Sequence, residues 1–230
     1  MDYLKRLEKL MTQLRSQNGC PWDKRQTHKS LKPYLLEEAH EALDAIDSGD
    51  PESLREELGD VLLQVVFHSQ LAKEKNRFNL QDVAKTISDK LVRRHPHVFG
   101  KGASRRIADI NRKWEELKRV EKPERKSVLD GLPRSLPALL RAQRMQEKIS
   151  KHGKAGRDRT REKELEKLWR KFQRSLAAGT RRSKNESAGE FLLAFAQLAH
   201  STGIHAEMAL AEASHKYEKN FRTREAKPKA

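Results

Sequence analysis

Two pairs of acidic residues, separated by one short turn, have the spacing of a cation-binding site. Glu38 and Glu41 are three residues apart, and Glu57 and Asp60 repeat that spacing beyond the turn SGDPES. On a helix that turns about 100° per residue, each pair lies at one edge of an apolar stripe, at about 0° and −60°. Because a short turn makes the two helices antiparallel neighbours, we expect the four carboxylates to converge.

Four converging carboxylates cannot all stay ionised unless a cation or protons neutralise them. An all-oxygen ligand set selects a hard cation such as Mg²⁺, with Mn²⁺ as a possible substitute, and leaves room for water and phosphate oxygens. The alternative is that these residues are ordinary helix formers on a solvated surface, as a single pair usually is. Two pairs in the same helical phase favour the cation site.

The elements that must position these carboxylates are helices, because Lys, Glu, Leu, Ala and Arg dominate the composition. Asp50 is expected to cap the helix that begins at Pro51. We expect loops at NGCPWD, KHGKAGRDRTREKE and GTRRSKN, and a frayed tail REAKPKA. The apolar periodicity predicts helices at about 3–14, 30–46, 51–75, 80–94, 165–178, 188–201 and 206–221, a charged helix within 101–126 and a helix after the turn at Leu129.

Charge and internal similarity divide the chain into two parts. The net charge is +16, yet residues 1–100 contain 16 basic and 16 acidic residues, so the whole excess lies in 101–230. GDVLLQVV (59–66) resembles GEFLLAFA (189–196), ISDKLVRR (87–94) resembles ASHKYEKN (213–220), and a weaker match links 35–43 with 168–176. These matches keep their order, which indicates a repeated unit. We predict a first domain at 1–100, a charged helical linker at 101–127 and a second domain at 128–230.

Several protein classes are excluded at this point. The longest apolar runs fall short of the roughly 18 residues that a membrane span needs, and the amphipathic start is not a signal peptide. Cys20 is the single cysteine, so an intramolecular disulfide is impossible. We expect a cytoplasmic protein with no membrane association.

Three stretches together resemble the MazG branch of the all-α nucleoside triphosphate pyrophosphohydrolases. They are NGCPWDKRQTHKSLKPY, LLEEAHEALDAIDSGDPESLREELGD and ISDKLVRRHPHVFG. The resemblance covers about residues 1–99, and LDGLPRSLPALLRAQRMQEK is similar to the start of the second domain in two-domain members. It implies an all-α protein made of two tandem MazG-like four-helix bundles joined by a helical linker. It also implies a homodimer.

The resemblance further implies an activity. Family members hydrolyse nucleoside triphosphates between the α and β phosphates, giving a monophosphate and pyrophosphate, and thereby clear unwanted nucleotides. By similarity, Glu38, Glu41, Glu57 and Asp60 are the Mg²⁺ ligands. Glu37 and Glu38 are the candidate catalytic residues. Glu37 lies at about −100° on the same wheel, where it either activates the attacking water or supports a metal ligand.

Candidate substrate-binding residues lie outside the two acidic pairs. By similarity, Lys90 and Arg94, one turn apart, contact the phosphates, and Arg93 is a weaker candidate because it points about 100° away. The alternative for this basic helix end is an interaction with the helix dipole. Trp22 either stacks on the nucleobase or anchors its loop in the core. We expect His95 and His97 to pack in a loop rather than to bind metal.

The second repeat departs from the pattern of the first. Aligned by apolar positions, three acids become bases and one becomes a hydroxyl, so we predict that this half binds no Mg²⁺ and is not catalytic. Its basic excess suggests an alternative function, in which it binds nucleic acid or another polyanion; it lacks a recognised reader motif. A third possibility is a purely structural scaffold. The aligned pairs are Glu37–Arg170, Glu38–Lys171, Glu41–Arg174, Glu57–Ser187, Asp60–Glu190, Lys90–Lys216 and Arg94–Asn220.

Overall fold

The computed structural model describes residues 2–100, 106–121, 123–151 and 158–225, and these residues form helices and connecting turns without a strand. This confirms the all-α prediction. The helices are α1 (Tyr3–Leu14), α2 (Pro21–Arg25), α3 (Lys32–Ser48), α4 (Pro51–Lys73), α5 (Leu80–Arg94), α6 (Pro96–Phe99), α7 (Ile107–Glu121), α8 (Ala138–Ser150), α9 (Asp158–Ala178), α10 (Arg181–Ser201) and α11 (Ala206–Glu225).

The turn between α3 and α4 has the local chemistry that the sequence predicts. The backbone of Gly49 ends α3 in the left-handed region, with φ of 70°, which a residue without a Cβ adopts at no steric cost. The carboxylate of Asp50 then accepts a hydrogen bond from the backbone N–H of Glu52 at 3.1 Å, and Pro51 occupies the first position of α4. The predicted cap is confirmed, and α3 packs along α4 as an antiparallel neighbour.

The chain divides into two compact units, Met1–Leu117 and Lys118–Ala230, which we call unit 1 and unit 2. In unit 1, α4 contacts α1, α3 and α5. Its buried core is apolar and is contributed by several of these elements. The core residues are Met11, Leu31, Val66, Phe67, Leu71 and Leu80.

Unit 2 repeats this packing with a smaller core. Here α10 contacts α8, α9 and α11, as α4 contacts α1, α3 and α5. The segments that resemble each other in sequence lie on α3 and α9, on α4 and α10, and on α5 and α11. The buried core cluster of unit 2 consists of alanines, at 142, 196, 199 and 206.

Three predicted loops contain helix. Helix α2 (Pro21–Arg25) begins inside the predicted NGCPWD loop, with Pro21 at its first position. Helix α9 begins at Asp158, inside the stretch predicted to be a polar loop, because a run of Arg, Lys and Glu has high helix propensity despite its polarity. The GTRRSKN stretch is helical from Arg181, where the Thr180 hydroxyl caps α10 by accepting from the backbone N–H of Ser183 at 3.2 Å.

Parts of other predictions fall outside the described residues. These are the start of the predicted linker at 101–105, position 122, the first part of the polar stretch at 152–157 and most of the tail at 226–230. Helix α7 lies within the predicted linker and has the predicted helical character. Among the described helices, none combines the length and the apolar composition needed to cross a membrane.

Candidate metal and nucleotide site

The structure brings carboxylates from α3 and α4 together. One oxygen of each of Glu38, Glu41 and Glu57 lies within 4.8 Å of an oxygen of each of the other two. Glu38 and Glu57 are half-buried, whereas Glu41 is exposed. Asp60 is half-buried and lies outside this group of three, so the predicted fourth ligand stands at the edge of the cluster.

The carboxylates in this cluster hold their protons more tightly than isolated ones do. Burial raises the pKa of Glu38 above its usual value, and the negative charges of Asp60 and Glu41 raise it further. Burial likewise raises the pKa of Glu57, with added contributions from Glu41 and Asp60. The charge of Asp60 therefore acts on both half-buried carboxylates, which is the electrostatic setting that a cation relieves.

Helix α2 is held against α1 and α4 by one arginine. The guanidinium of Arg15 donates two hydrogen bonds of 2.7 Å to the two carboxylate oxygens of Glu74, just after α4. It also donates to the backbone carbonyl of Asp23 in α2, and it lies 5.5 Å from the centre of the Phe67 ring. These hydrogen bonds lower the pKa of Glu74 and fix α2 relative to α4.

This attachment places Trp22 beside α3. Its ring packs edge-on against that of Tyr34, with centroids 5.8 Å apart and planes at 79°. Trp22 is 43% exposed, so it is not a core anchor of its helix. Tyr34 lies one helical turn before Glu38, and the aromatic pair therefore stands on the same side of α3 as the carboxylates.

The predicted phosphate-binding residues lie on α5, which packs against α4. Lys90 and Arg94 are half-buried and one turn apart, whereas Arg93 is exposed. The guanidinium carbon of Arg94 lies 5.6 Å from the centre of the Trp114 ring on α7. The ring of His95 also packs on Trp114, at 4.9 Å. The end of α5 is therefore braced by Trp114.

The remaining predicted residues have less support. Glu37 is exposed and lies outside the group of three carboxylates. The rings of His95 and His97 pack on each other with centroids 5.5 Å apart; His97 lies in the short helix α6 rather than in the predicted loop. Cys20 is half-buried at the start of α2 with a free thiol.

The corresponding face of unit 2 has a different chemistry. The ammonium group of Lys171 lies 2.6 Å from the carboxylate of Glu190. These residues align with Glu38 and Asp60, so a lysine side chain supplies positive charge where unit 1 gathers carboxylates. Ser187, aligned with Glu57, is buried, and its hydroxyl is 2.7 Å from that of Ser175. This arrangement fits the prediction that unit 2 does not bind Mg²⁺.

Sequence reasoning missed several residues that shape this site. Tyr34 has a detectable signal, since it precedes Glu38 by four positions. Arg15 has none, because its partners are 8 and 59 positions away along the chain. His28 and His68 also escaped notice: their rings stack with centroids 5.1 Å apart, and their Nδ1 atoms are 2.8 Å apart. Such long-range pairs leave no local pattern.

Comparison with known proteins gives consistent results. The MazG nucleotide pyrophosphohydrolase domain family matches residues 26–99, a range that contains all four acidic residues. The chain is 42% identical to a nucleoside triphosphate pyrophosphohydrolase of Escherichia coli (strain K12), across 96% of this chain and 87% of that protein. It is 40% identical to the nucleoside triphosphate pyrophosphohydrolase/pyrophosphatase MazG of Thermotoga maritima, across 95% and 84%. A nucleoside triphosphate pyrophosphohydrolase of Mycobacterium tuberculosis shares 44% identity across 63% of this chain and 44% of that protein.

Proposed function

The chain belongs to the MazG family of nucleotide pyrophosphohydrolases, and we propose that it hydrolyses nucleoside triphosphates to a nucleoside monophosphate and pyrophosphate in unit 1. The chain is thus a hydrolase that acts on an acid anhydride. The active site is assigned to unit 1 because Glu38, Glu41 and Glu57 form a cluster there, with oxygens within 4.8 Å of one another. Removal of unwanted nucleotides is the role that we propose for this activity.

The donor set fits a hard divalent cation. All the candidate ligands are carboxylates, the donors that such a cation prefers. Burial, and next the charges of neighbouring carboxylates, raise the pKa of Glu38 and of Glu57, which is consistent with a cation there. We propose Mg²⁺ held by Glu38, Glu41, Glu57 and Asp60, with Mn²⁺ as a substitute. When bound, the cation would screen the carboxylates from the polyphosphate and lower the pKa of an attacking water.

The protein's own residues would orient the triphosphate around this cluster. Lys90 and Arg94 are proposed to bind phosphate oxygens, since a guanidinium and an ammonium on one helix face suit an anionic chain. Arg93 is a weaker candidate because it is exposed on another face. Trp22 is proposed to stack on the nucleobase, which its exposed ring permits.

Glu37 and Glu38 are the proposed catalytic carboxylates. Glu38 lies in the cluster, so it acts as a ligand and positions the reacting phosphate. Glu37 is adjacent in sequence, exposed and free to accept a proton from the attacking water or to hold that water in place. These two roles for Glu37 predict different pH profiles of the Glu37→Gln variant.

The proposed function is tested by pyrophosphate release from a panel of nucleoside triphosphates in the presence of Mg²⁺. Wild type is compared with Glu38→Gln and Glu57→Gln, which keep the shape of each side chain and remove its charge. The matched control is Glu190→Gln, which makes the same change at the equivalent face of unit 2. We expect wild type and the control to be active and both unit 1 variants to be inactive.

Two results would contradict this proposal. A folded wild-type protein that releases no pyrophosphate from any triphosphate, with Mg²⁺ or Mn²⁺, would refute the activity. Equal activity of wild type and Glu57→Gln, together with loss of activity in Glu190→Gln, would move the site to unit 2.

We also propose a homodimer. Three large apolar side chains on α3 and α4, Leu36, Ile46 and Leu58, are each at least 53% exposed. A face of this kind on paired helices is suited to a partner copy. The mass of the protein in solution, measured by light scattering, tests this: the monomer mass of 26.6 kDa at micromolar concentration would refute it.

Binding of nucleic acid or another polyanion by the basic half is not favoured. The family relationship explains the whole chain without such a partner.

A further inference from the structure

The orientation of the Trp22 ring is not fixed by the short helix that carries it. Helix α2 has five residues, too few for a helix to be stable without tertiary contacts. Its backbone is held by Arg15, which donates to the carbonyl of Asp23. The side chain of Gln26 also donates to the carbonyl of Trp22, at 3.1 Å. The Trp22 side chain itself is 43% exposed, so core packing does not lock its rotamer.

Tyr34 supplies the ring contact that the Trp22 side chain makes. The two ring centroids lie 5.8 Å apart and the planes cross at 79°, so the rings meet edge to face. In this geometry the positive edge of one ring points at the negative face of the other, which is a favoured and directional contact. Such a contact covers at most one face of the indole. Tyr34 therefore restrains the direction of the Trp22 ring and leaves a face of it open for stacking.

Tyr34 belongs to the helix that carries two of the clustered carboxylates. Tyr34, Glu38 and Glu41 all lie on α3, and Tyr34 precedes Glu38 by four residues. Four residues make about one helical turn, with a rise of about 6 Å. The aromatic pair is thus one turn away from the carboxylate cluster, a separation that a single nucleotide spans. One rigid helix therefore relates the position of the indole to that of the cluster.

We propose that Tyr34 is a positioning residue, which holds the Trp22 indole in the orientation in which it stacks on the nucleobase of the bound triphosphate. The inference rests on the proposed function, because it requires a nucleotide with its phosphates at the carboxylate cluster and its base on Trp22. Unit 2, whose matching segment begins at Leu168, has Lys167 at the position before it, where unit 1 has Tyr34. The ring is therefore present in the unit that carries the carboxylate cluster and missing from the other.

The test compares a nucleoside triphosphate with its base-free counterpart. The first is the triphosphate that wild type hydrolyses with the highest kcat/KM, and the second is the same sugar triphosphate without the base. For Tyr34→Leu we expect the KM for the nucleotide to rise by about threefold to tenfold at an unchanged kcat, because binding through the base is weakened. The base-free triphosphate should bind to Tyr34→Leu as it does to wild type, measured as KM or as Ki against the nucleotide.

A double-mutant cycle shows whether Tyr34 acts through Trp22. Trp22→Leu should raise the KM for the nucleotide by about tenfold or more, because it removes the stacking surface. Adding Tyr34→Leu to Trp22→Leu should raise the KM no further, because Tyr34 then has no indole to orient. Tyr34→Phe keeps the ring and should keep the wild-type KM.

Phe172 in unit 2 supplies a matched control. Its ring packs on that of Trp169, with centroids 5.9 Å apart and planes at 54°. Trp169 is 43% exposed, as Trp22 is, and the pair lies on α9, which carries none of the clustered carboxylates. Phe172→Leu thus removes a ring from beside an equally exposed tryptophan. It should leave the KM for the nucleotide and for the base-free triphosphate unchanged.

The inference is overturned if Tyr34→Leu keeps the wild-type KM for the nucleotide, or if binding of the base-free triphosphate weakens equally. A further rise in KM when Tyr34→Leu is added to Trp22→Leu would show that Tyr34 does not act through the indole. An equal rise in Phe172→Leu would also contradict the role.

Binding of the α,β-methylene analogue of ATP, measured by calorimetry, separates this inference from the proposed function. A protein that hydrolyses no triphosphate, yet binds the analogue more weakly in Tyr34→Leu and not in Tyr34→Phe, would refute the proposed function and support the role of Tyr34. Equal affinity in wild type and Tyr34→Leu would overturn the inference whether or not the protein is active.

Discussion

Units 1 and 2 arrange their helices alike but place opposite charges on the same face. On α3 and α4, Glu38, Glu41 and Glu57 crowd together, and burial with mutual repulsion raises the pKa of Glu38 and Glu57. On α9 and α10, the ammonium of Lys171 sits 2.6 Å from Glu190. Lys171 and Glu190 thus compensate each other's charge, whereas the carboxylate cluster of unit 1 keeps a charge imbalance that a cation can correct. Because both units have the same helix arrangement, the fold does not require the acids.

We expect the greatest loss of activity when a carboxylate of the unit 1 cluster is replaced by the basic residue that unit 2 has at the aligned position. Glu38→Lys places an ammonium opposite Asp60, as Lys171 stands opposite Glu190. Mutation of residues that only support metal ligands lowers metal affinity or activity by about 10–100-fold. Because Glu38 is itself a proposed ligand, we expect pyrophosphate release to fall by at least about a hundredfold. The fold should persist by circular dichroism. Substantial activity in Glu38→Lys would show that the comparison between the two faces has no functional meaning.

A large effect on stability is expected from Arg15, which links α2 to the end of α4 in unit 1. The side chain of Arg15 is 7% exposed and forms a bidentate salt bridge with the carboxylate of Glu74. Arg15→Met leaves the partly buried Glu74 carboxylate and the Asp23 carbonyl without their donor, and we expect a loss of about 3 kcal/mol in the free energy of unfolding. Urea denaturation of unit 1 is the measurement.

Arg182→Met is the control for that experiment. Arg182 pairs with Glu186 on the surface of α10, where its side chain is 89% exposed. Its removal should cost no more than about 0.5 kcal/mol. If the two variants lose similar amounts, Arg15 is not an anchor of α2.

The stability of unit 1 should also depend on pH, because His68 in the His28–His68 pair has a lowered pKa. Burial, and next the neighbouring His28, lower the pKa of His68 below its usual value of 6.5. Because the folded-state pKa is the lower one, the stabilisation is present above pH 6.5 and is lost as the pH falls through the folded value. In thermal unfolding between pH 5 and 8, the Tm should fall as the pH drops below about 6.5, the ordinary pKa of histidine.

His68→Phe separates this pair from other titrating groups, since it keeps a stacked ring and removes the charge. The variant should flatten the pH dependence of the Tm over the same range. Unit 2 has Leu198 at the aligned position and no such pair there. An unchanged pH dependence in His68→Phe would assign the effect to other groups.

The smallest effect is expected for the ion pair of unit 2. The side chains of Lys171 and Glu190 are 52% and 46% exposed, so solvent screens their attraction. Lys171→Met should therefore change the free energy of unfolding by at most about 1 kcal/mol and leave pyrophosphate release unchanged. A marked loss of activity would mean that the basic face of unit 2 takes part in the reaction.

Local patterns were enough to predict much of the fold. The bounds of α1 and α5 and the cap at Asp50 follow from apolar spacing and from turn residues. The starts of α9 and α10 were wrong because strings of Arg, Lys and Glu look like loops when polarity is weighed above helix propensity. The convergence of Glu38, Glu41 and Glu57 followed from helical phase plus a short turn.

The rest of the candidate site depends on contacts that no local pattern contains. Arg15 reaches Glu74 and α2 across the tertiary fold. Residues that serve through distant partners thus escape sequence reasoning, whereas residues grouped on one helical face do not.

We expect the carboxylate cluster of unit 1 to bind Mg²⁺, and calorimetric titration of the protein with Mg²⁺ measures this binding without relying on catalysis. Wild type, Glu57→Gln and Glu190→Gln are titrated at neutral pH. We expect binding in wild type, its loss in Glu57→Gln and its retention in Glu190→Gln. Binding that survives Glu57→Gln, or that disappears in Glu190→Gln, would contradict the assignment of the metal site to α3 and α4.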